Sequence, residues 1–348
     1  MTGIKTRVCM ISDTHTCAPN PRQYTWNAYR HPLPTANILL HAGDLTKVGY
    51  RVEHEAMIAM LKKADAELKL VIAGNHDVTL DEDYFMRGGY RRHRHPELLG
   101  LGDVLTEEKD AIYTPQSKAS DPGSRPEDVR AYVQRAQDLY TNDEARAAGI
   151  RYLEEGVHSF TLSTGATFTV YASPYQPEFC NWAFSYKRNE DRFNPPESSS
   201  SSTTTTPPPQ NPVPDHPAID FLLTHGPPEG VLDRVGPGMH VGCVHLLRAA
   251  GRSRPRIHVF GHIHEGWGAL RGIWDAEAER GVKLEPVPTD PEEMMENRGA
   301  FYDMSSQGEQ QLQFGAETLF VNASINTVAY QPRNAPWVVD LELPRAAE

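Results

Sequence analysis

Three carboxylates, one carboxamide and five imidazoles fall in five short strings along this chain. They are Asp13-Thr14-His15, Gly43-Asp44, Gly74-Asn75-His76-Asp77, Thr224-His225-Gly226 and Gly261-His262-Ile263-His264. Mixed carboxylate and imidazole donors suit divalent ions such as Mn²⁺, Fe²⁺ or Zn²⁺. Two ions about 3.5–4 Å apart can clamp both oxygens of an in-line displacement at phosphorus. Asp13, His15, Asp44, Asn75, His225, His262 and His264 are the candidate ligands, with His76 left over for chemistry. A carboxylate has two oxygens, and Asp44 is the candidate to bridge both ions. Asp13 and His15 lie two apart and can reach one ion together. His262 and His264 share that spacing and could serve one ion or one each. Two carboxylates against two dications leave the site near +2, which would hold a phosphate anion and acidify a bridging water.

These donors need converging elements to position them. Each string follows a short apolar run, at 7–11, 37–40, 68–73, 219–223 and 256–260. Near-continuous apolar runs suit strands covered on both faces. In open α/β sheets, ligands bind where strand carboxyl ends open into a crevice.

At the level of whole strings the chain resembles the calcineurin-like metallophosphoesterases. The resemblance rests on Ser12-Asp13-Thr14-His15, His41-Ala42-Gly43-Asp44, Gly74-Asn75-His76-Asp77, Thr224-His225-Gly226-Pro227-Pro228 and Gly261-His262-Ile263-His264-Glu265-Gly266. Phe320-Val321-Asn322-Ala323-Ser324 resembles the family's closing strand. Within the family, the strings look most like the fetal-brain-type metallophosphoesterase-domain proteins and their fungal and bacterial relatives. The resemblance implies an α/β sandwich of two sheets flanked by helices, with the metals at strand carboxyl ends. It implies that Asp13, His15 and His264 hold one metal and Asn75, His225 and His262 the other, with Asp44 bridging. His76 would face the phosphate and protonate the leaving oxygen. One departure matters: many protein phosphatases of this superfamily carry an Asp three residues after the bridging Asp to orient the catalytic His, and here that position is Lys47. Some vertebrate members of the narrower group have Gly where this chain has His262, so a complete second metal site is expected.

The activity implied is a dinuclear-metal phosphoesterase, foremost a phosphodiesterase of cyclic nucleotides or other small phosphodiesters, using a metal-bridging hydroxide. A phosphomonoesterase or protein phosphatase on the same scaffold is the enzymatic alternative. A slow-turnover nucleotide-binding regulatory module is the non-enzymatic one. Mn²⁺ is the favoured ion.

Outside the set, single residues read more plainly. Lone histidines are usually surface or satisfied core residues, and His41, His54, His93, His95 and His258 stay unassigned. Asp77 reads as a helix cap, with orientation of His76 as the alternative. Gly43, Gly74 and Gly261 read as serving backbone turns. Ser173–Glu178, followed by Trp182, leaves a strand near the same sheet edge, so Tyr175 and Gln176 join Asn75 and His76 as candidate substrate contacts. The basic stretch Arg87–Arg92 reads as a solvated loop.

Length, charge and cysteine usage bound the class. A chain of 348 residues, with 39% hydrophobic residues and a mean hydropathy of −0.54, fits one α/β domain spanning 1–348. A formal charge of −12 argues against a dedicated nucleic-acid surface. No apolar run approaches a membrane span, and the early first strand leaves no room for a leader. Four scattered cysteines read as free thiols in a reducing, cytoplasmic compartment. Oligomeric state is not legible. Helices are expected over 51–66, with Val52, Ala56, Ala59, Met60 and Lys63 on the buried stripe, and over 126–141, behind a Ser124-x-x-Glu127 capping box. A hairpin is expected over 157–172 around Ser163-Thr164-Gly165. Residues 194–217 are a Ser/Thr/Pro run read as a solvated loop, and 276–316 as a polar insertion.

Overall fold

Side chains on successive strand residues point to opposite faces, and here both faces are covered. In the run 8–11, Val8 and Met10 pack into one apolar cluster and Ile11 into another. The structure, a computed structural model, describes residues 3–19, 27–99, 125–196 and 209–346. Four parallel strands, β1 (Ile4–Ile11), β2 (Ala36–His41), β3 (Ala66–Val71) and β4 (Ile150–Tyr152), run side by side to one edge of the first sheet. The second sheet contains β5 (Gly156–Thr161), β6 (Thr167–Ser173), β7 (Phe221–Thr224), β8 (Ile257–Phe260), β9 (Gly268–Trp274) and β10 (Val282–Pro286). Then β11 (Ala300–Asp303) returns to the first sheet, β12 (Glu317–Asn322) to the second, and β13 (Trp337–Leu343) to the first. The orders are β11-β13-β1-β2-β3-β4 and β10-β9-β12-β8-β7-β6-β5.

The apolar cluster between the sheets joins Val8, Leu40 and Ile72 to Val170, Leu223 and Val259. On the outer face of the first sheet, Leu39 and Val71 pack with Met57 and Leu61 of α1 (Arg51–Lys63) and with Val133 and Tyr140 of α2 (Pro126–Thr141). On the outer face of the second, Leu222 and Phe320 pack with Leu246 and Ala250 of α3 (Val244–Ser253). Full burial of one such aliphatic side chain contributes roughly 1.5–3 kcal/mol. The result is the expected two-sheet sandwich flanked by helices. Parallel pairing of β1–β4 and of β6, β7, β8 and β12 points their carboxyl ends the same way within each sheet. The two sheets are stitched there: Ser12 N–H donates to Ala323 O at 2.8 Å, and Ile325 N–H to Ser12 O at 2.8 Å.

Local expectations fare unevenly. The second helix and the hairpin stand where periodicity put them, with Gly165 in the turn at φ 82°. Ser124 lies outside the described residues, and Pro126 opens that helix. The first helix ends at Lys63 rather than 66, because the chain turns at Ala64 into β3. Its buried stripe also differs. Val52, Ala56, Ala59 and Lys63 are exposed, while His54, Met57, Ile58, Met60 and Leu61 face inward. The larger apolar groups decide which face is buried, not the count of small ones. Part of 276–316 is built into the frame: β10 and β11 are edge strands of the two sheets, and α4 (Pro291–Asn297) lies between them in sequence. Among the described residues no helix is long and apolar enough to cross a membrane.

Of the run at 194–217, read as a solvated loop, residues 197–208 lie outside the described residues, and the flanks on either side pack. Asn194 and Val213 are buried. Arg252, near the end of α3, donates to Asn194 Oδ1 at 3.0 Å and Val213 O at 3.0 Å, and pairs with Asp215. Its guanidinium fork supplies the flanks with donors that the Ser/Thr/Pro composition does not reveal. Arg252→Ala is expected to destabilise the fold by about 1.5–3 kcal/mol, read as a lower urea midpoint at unchanged slope. An unchanged midpoint would mean the flanks contribute nothing.

Candidate metal centre

Asp13, Asp44, Asn75, His225 and His262 each stand just past the carboxyl end of β1, β2, β3, β7 or β8. The turns that carry them are tight. Asp13, His15, Asp44 and His262 adopt φ of 51°, 42°, 54° and 66°, a left-handed conformation that non-glycine residues rarely hold and that surrounding structure must enforce. The enforcement is visible. Asp13 N–H donates to Gly43 O at 2.9 Å and His15 N–H to Asp44 O at 3.0 Å. Asn326 Nδ2 holds Asp13 O at 2.7 Å and Thr14 O at 3.0 Å. The glycines leave room for the donors rather than for substrate: a Cβ on Gly74 would lie 2.3 Å from Asp44 Oδ1, and one on Gly261 would lie 2.0 Å from Asp13 Oδ2.

All seven expected ligands meet in one place. The donor atoms of Asp13, His15 and His264 lie within 4.8 Å of one another, as do those of Asp44, His225 and His262. Asn75 Oδ1 is 2.9 Å from His225 Nε2 and so falls in the second group. Asp44 reaches both groups, with Oδ2 3.6 Å from His15 Nε2 and Oδ1 3.4 Å from His225 Nε2. His262 and His264 therefore separate, one to each group. His15, Asp44 and His76 form a third such triplet, so His76 stands at the site's edge with its ring partly exposed.

Three of the four candidate imidazoles are aimed by backbone carbonyls. Nδ1 of His15 contacts Thr46 O at 3.0 Å, that of His225 Ala42 O at 2.9 Å, and that of His264 Thr327 O at 3.1 Å. Each contact assigns the Nδ1 proton and leaves the Nε2 lone pair facing inward, the orientation of a metal-binding histidine. The carboxylates make the complementary case. Asp13 and Asp44 are buried, and among the described residues their ionic partners are histidines alone. Burial and the neighbouring Asp13 and Asp77 push the Asp44 carboxyl well above its ordinary range. Burial also disfavours ionised Asp13, but His264, His225 and His15 outweigh it and hold that carboxyl well below the usual range. Two carboxylates this close cannot both ionise without added positive charge. Dications at the inward Nε2 atoms would supply that charge, so the donor set fits two borderline divalent ions.

Asp77 neither caps a helix through its side chain nor touches the His76 ring. Its carboxylate accepts from Gly74 N–H at 2.8 Å, Thr46 N–H at 2.8 Å and Thr46 Oγ1 at 2.7 Å, tying the Asp44 turn to the His76 turn. His76 is oriented otherwise: Nδ1 contacts the main-chain carbonyl of Lys47 at 2.7 Å, and Trp182 stacks on the ring with centroids 4.0 Å apart. Burial lowers the His76 imidazole to about 4, despite the Lys47 carbonyl, leaving it neutral at pH 7.

Beside the donors lies a cleft of about 460 Å³. Asn75 and His76 line it, but Tyr175 and Gln176 do not. Gln176 turns inward to Ala183 O at 3.0 Å, and the Tyr175 ring is covered by the Arg192 guanidinium 3.6 Å away. The same segment reaches the cleft later, through Pro177, Phe179 and Trp182. The basic stretch at 87–92 does not line it either. It is more than a solvated loop, since Gly89 and Tyr90 are buried and Arg92 braces Cys180 O at 2.8 Å. Sequence reasoning also missed Tyr330, whose ring meets His15 and His264 edge-on at 4.9 and 5.4 Å. It missed Ser324, whose hydroxyl donates to Asp13 Oδ2 at 2.9 Å. His41 and His258, unassigned by sequence, each contact a threonine beside a candidate ligand, Thr14 or Thr224, at 2.9 Å.

Residues 6–266 match the family described as calcineurin-like phosphoesterase. The chain belongs to that family. It is 30% identical over 342 residues to metallophosphoesterase domain-containing protein 1 of Homo sapiens, covering 98% of this chain and 72% of that protein. It is also 31% identical over 271 residues to a protein of Emericella nidulans named probable rhamnogalacturonate lyase C, across 77% of this chain but only 18% of that one. A solved purple acid phosphatase, PPD1 from yellow lupin seeds, overlays 98% of this chain and 54% of its own at 10% identity and a TM-score of 0.32; the assignment does not rest on it. As a calcineurin-like phosphoesterase, the chain is a metal-dependent phosphoester hydrolase.

Within this centre Ser324 fixes the Asp13 carboxylate from outside the ligand set. Ser324→Ala is expected to weaken metal binding about 10–100-fold without unfolding the chain, read by Mn²⁺ titration with thermal melts alongside. Unchanged affinity would remove Ser324 from the centre.

Proposed function

We propose that the enzyme is a Mn²⁺-dependent phosphodiesterase of cyclic nucleotides or similar small phosphodiesters. The observation that carries this is the wall of the cleft. Beyond the metal donors it is lined by Pro177, Phe179, Trp182, Val235, Val328 and Tyr330. Phe179, Val328 and Tyr330 are 62%, 60% and 50% exposed, apolar surface that a ligand would cover. A diester carries one negative charge and two organic substituents, so it suits apolar walls on both sides of phosphorus. A monoester dianion calls for further cationic donors. The cleft's guanidinium, Arg188, already donates to Gly242 O and Val241 O at 3.0 Å each.

When bound, two dications supply Lewis acidity toward the phosphoryl oxygens and acidify water. Asp13, His15 and His264 would hold one, Asn75, His225 and His262 the other, with Asp44 shared. The chain's own contribution to bond cleavage is His76. Its Nδ1–H rests on Lys47 O, and its Nε2 faces the cleft. A phosphate anion within reach favours the imidazolium, which gives its Nε2 proton to the departing oxygen. The pinned tautomer takes the part that an orienting carboxylate plays where residue 47 is Asp. The four free cysteines and the net charge of −12 support a reducing, cytoplasmic setting and a small substrate rather than a nucleic acid.

Chelator is expected to abolish diester hydrolysis and Mn²⁺ to restore it best among common divalent ions. Undiminished turnover in chelator would remove the metal requirement. His76→Ala should keep both metals and lower kcat by about 10²–10⁴, most for alkoxide leaving groups and least for nitrophenolate. Equal loss for every leaving group would assign His76 to positioning phosphate instead.

A further inference from the structure

We infer that Trp182 is a positioning residue for His76, held for that task by the segment that follows the His76 turn. The inference rests on the reading of His76 as proton donor. The indole lies over the His76 ring with centroids 4.0 Å apart and planes 27° from parallel. On its other contact, His93 lies 4.5 Å away at 35°. The imidazole of His76 also donates from Nδ1 to Lys47 O and meets the rings of His15 and Tyr330 edge-on at 4.7 and 6.3 Å, so the indole is its one stacked neighbour among the described residues. Turning the ring about Cβ–Cγ would break that hydrogen bond and sweep Nε2 away from the leaving oxygen. The stacked indole opposes that turn across the whole ring face.

The indole is itself immobilised, by polar contacts to the loop that carries it. Tyr84 donates its hydroxyl to Asn181 O at 2.9 Å and lies 2.8 Å from His93 Nε2. Arg92 donates to Cys180 O at 2.8 Å, and Asp81 Oδ2 accepts from Phe184 N–H at 2.7 Å. Tyr84, Arg92, Asp81 and His93 all belong to 81–93, directly beyond Asp77 and the short helix Val78–Leu80. A closed circuit results: His76 leads through Asp77 to 81–93, which grips 180–184, which presents Trp182 back onto His76. A segment needed only as a solvated connection would not direct four side chains onto the neighbours of one indole.

The test is a double-mutant cycle on the full chain loaded with Mn²⁺, using an alkyl and a nitrophenyl phosphodiester. Trp182→Ala is expected to retain its metals and to lower kcat for the alkyl diester on the order of 10–100-fold, with a smaller loss for the nitrophenyl diester. Trp182→Phe, which keeps a ring face, should recover most of that loss. In the His76→Ala background, Trp182→Ala should cost nothing more in kcat. Equal losses with and without His76, or a change in KM alone, would overturn the inference and make Trp182 a substrate wall. If His76→Ala shows no leaving-group dependence, the reading beneath falls separately, since non-additivity is measured on its own. Should Trp182→Ala fail to fold, Trp182→Leu, which fills the volume without a ring face, is read the same way.

Discussion

Two buried carboxylates, Asp13 and Asp44, stand side by side at the ends of neighbouring strands β1 and β2, and among the described residues they have only imidazoles for ionic partners. Desolvation makes that arrangement costly, and the surrounding structure can be read as what makes it tolerable. His15, His225 and His264 turn their lone pairs inward because backbone carbonyls hold their other nitrogen. The ligand turns take left-handed backbone because Asn326 and neighbouring peptide groups hold them there. Glycines stand where a Cβ would touch a carboxylate. Each device is local, and all serve one concentration of negative and donor charge that divalent cations can balance.

The frame follows from the same need. A mixed donor set of two carboxylates, an amide and four imidazoles cannot come from one strand or one helix. Parallel strands in two sheets present their carboxyl ends together, and the Ser12–Ala323 and Ile325–Ser12 hydrogen bonds join the sheets at that edge. Asp13 and His15 leave one sheet, His262 and His264 the other, and the seam brings them into contact. The cleft opens from that seam toward Phe179, Trp182 and Tyr330.

Much of this was legible from residue types. The strand runs, their ends and the donor set could be read because the candidate metal donors sit in short strings directly after apolar runs, whereas the division of His262 and His264 between two groups came only from the resemblance to the family. The hairpin at Gly165 and the helix at 126–141 carried equally local signals. What escaped was whatever depends on contacts distant in sequence. Trp182 stacks on His76 across more than a hundred residues of chain, and Ser324 meets Asp13 across three hundred. Neither lies in a ligand string. Tyr175 and Gln176 were the natural choice after β6, but an Arg192 guanidinium and the Ala183 carbonyl claim them. Asp77 could be read as a cap or as a partner of His76, and only the fold shows it fastening two turns together. The flanks of 194–217 look unpackable by composition and are packed by Arg252 on α3.

The central claim is that Asp44 is shared by two cations lying on either side of it. Anomalous diffraction from Mn²⁺-loaded crystals tests this most directly. The account predicts two peaks about 3.5–4 Å apart, one against Asp13, His15 and His264, the other against Asn75, His225 and His262, with an Asp44 oxygen on each. A single peak, or two peaks with Asp44 bound to only one, would contradict it.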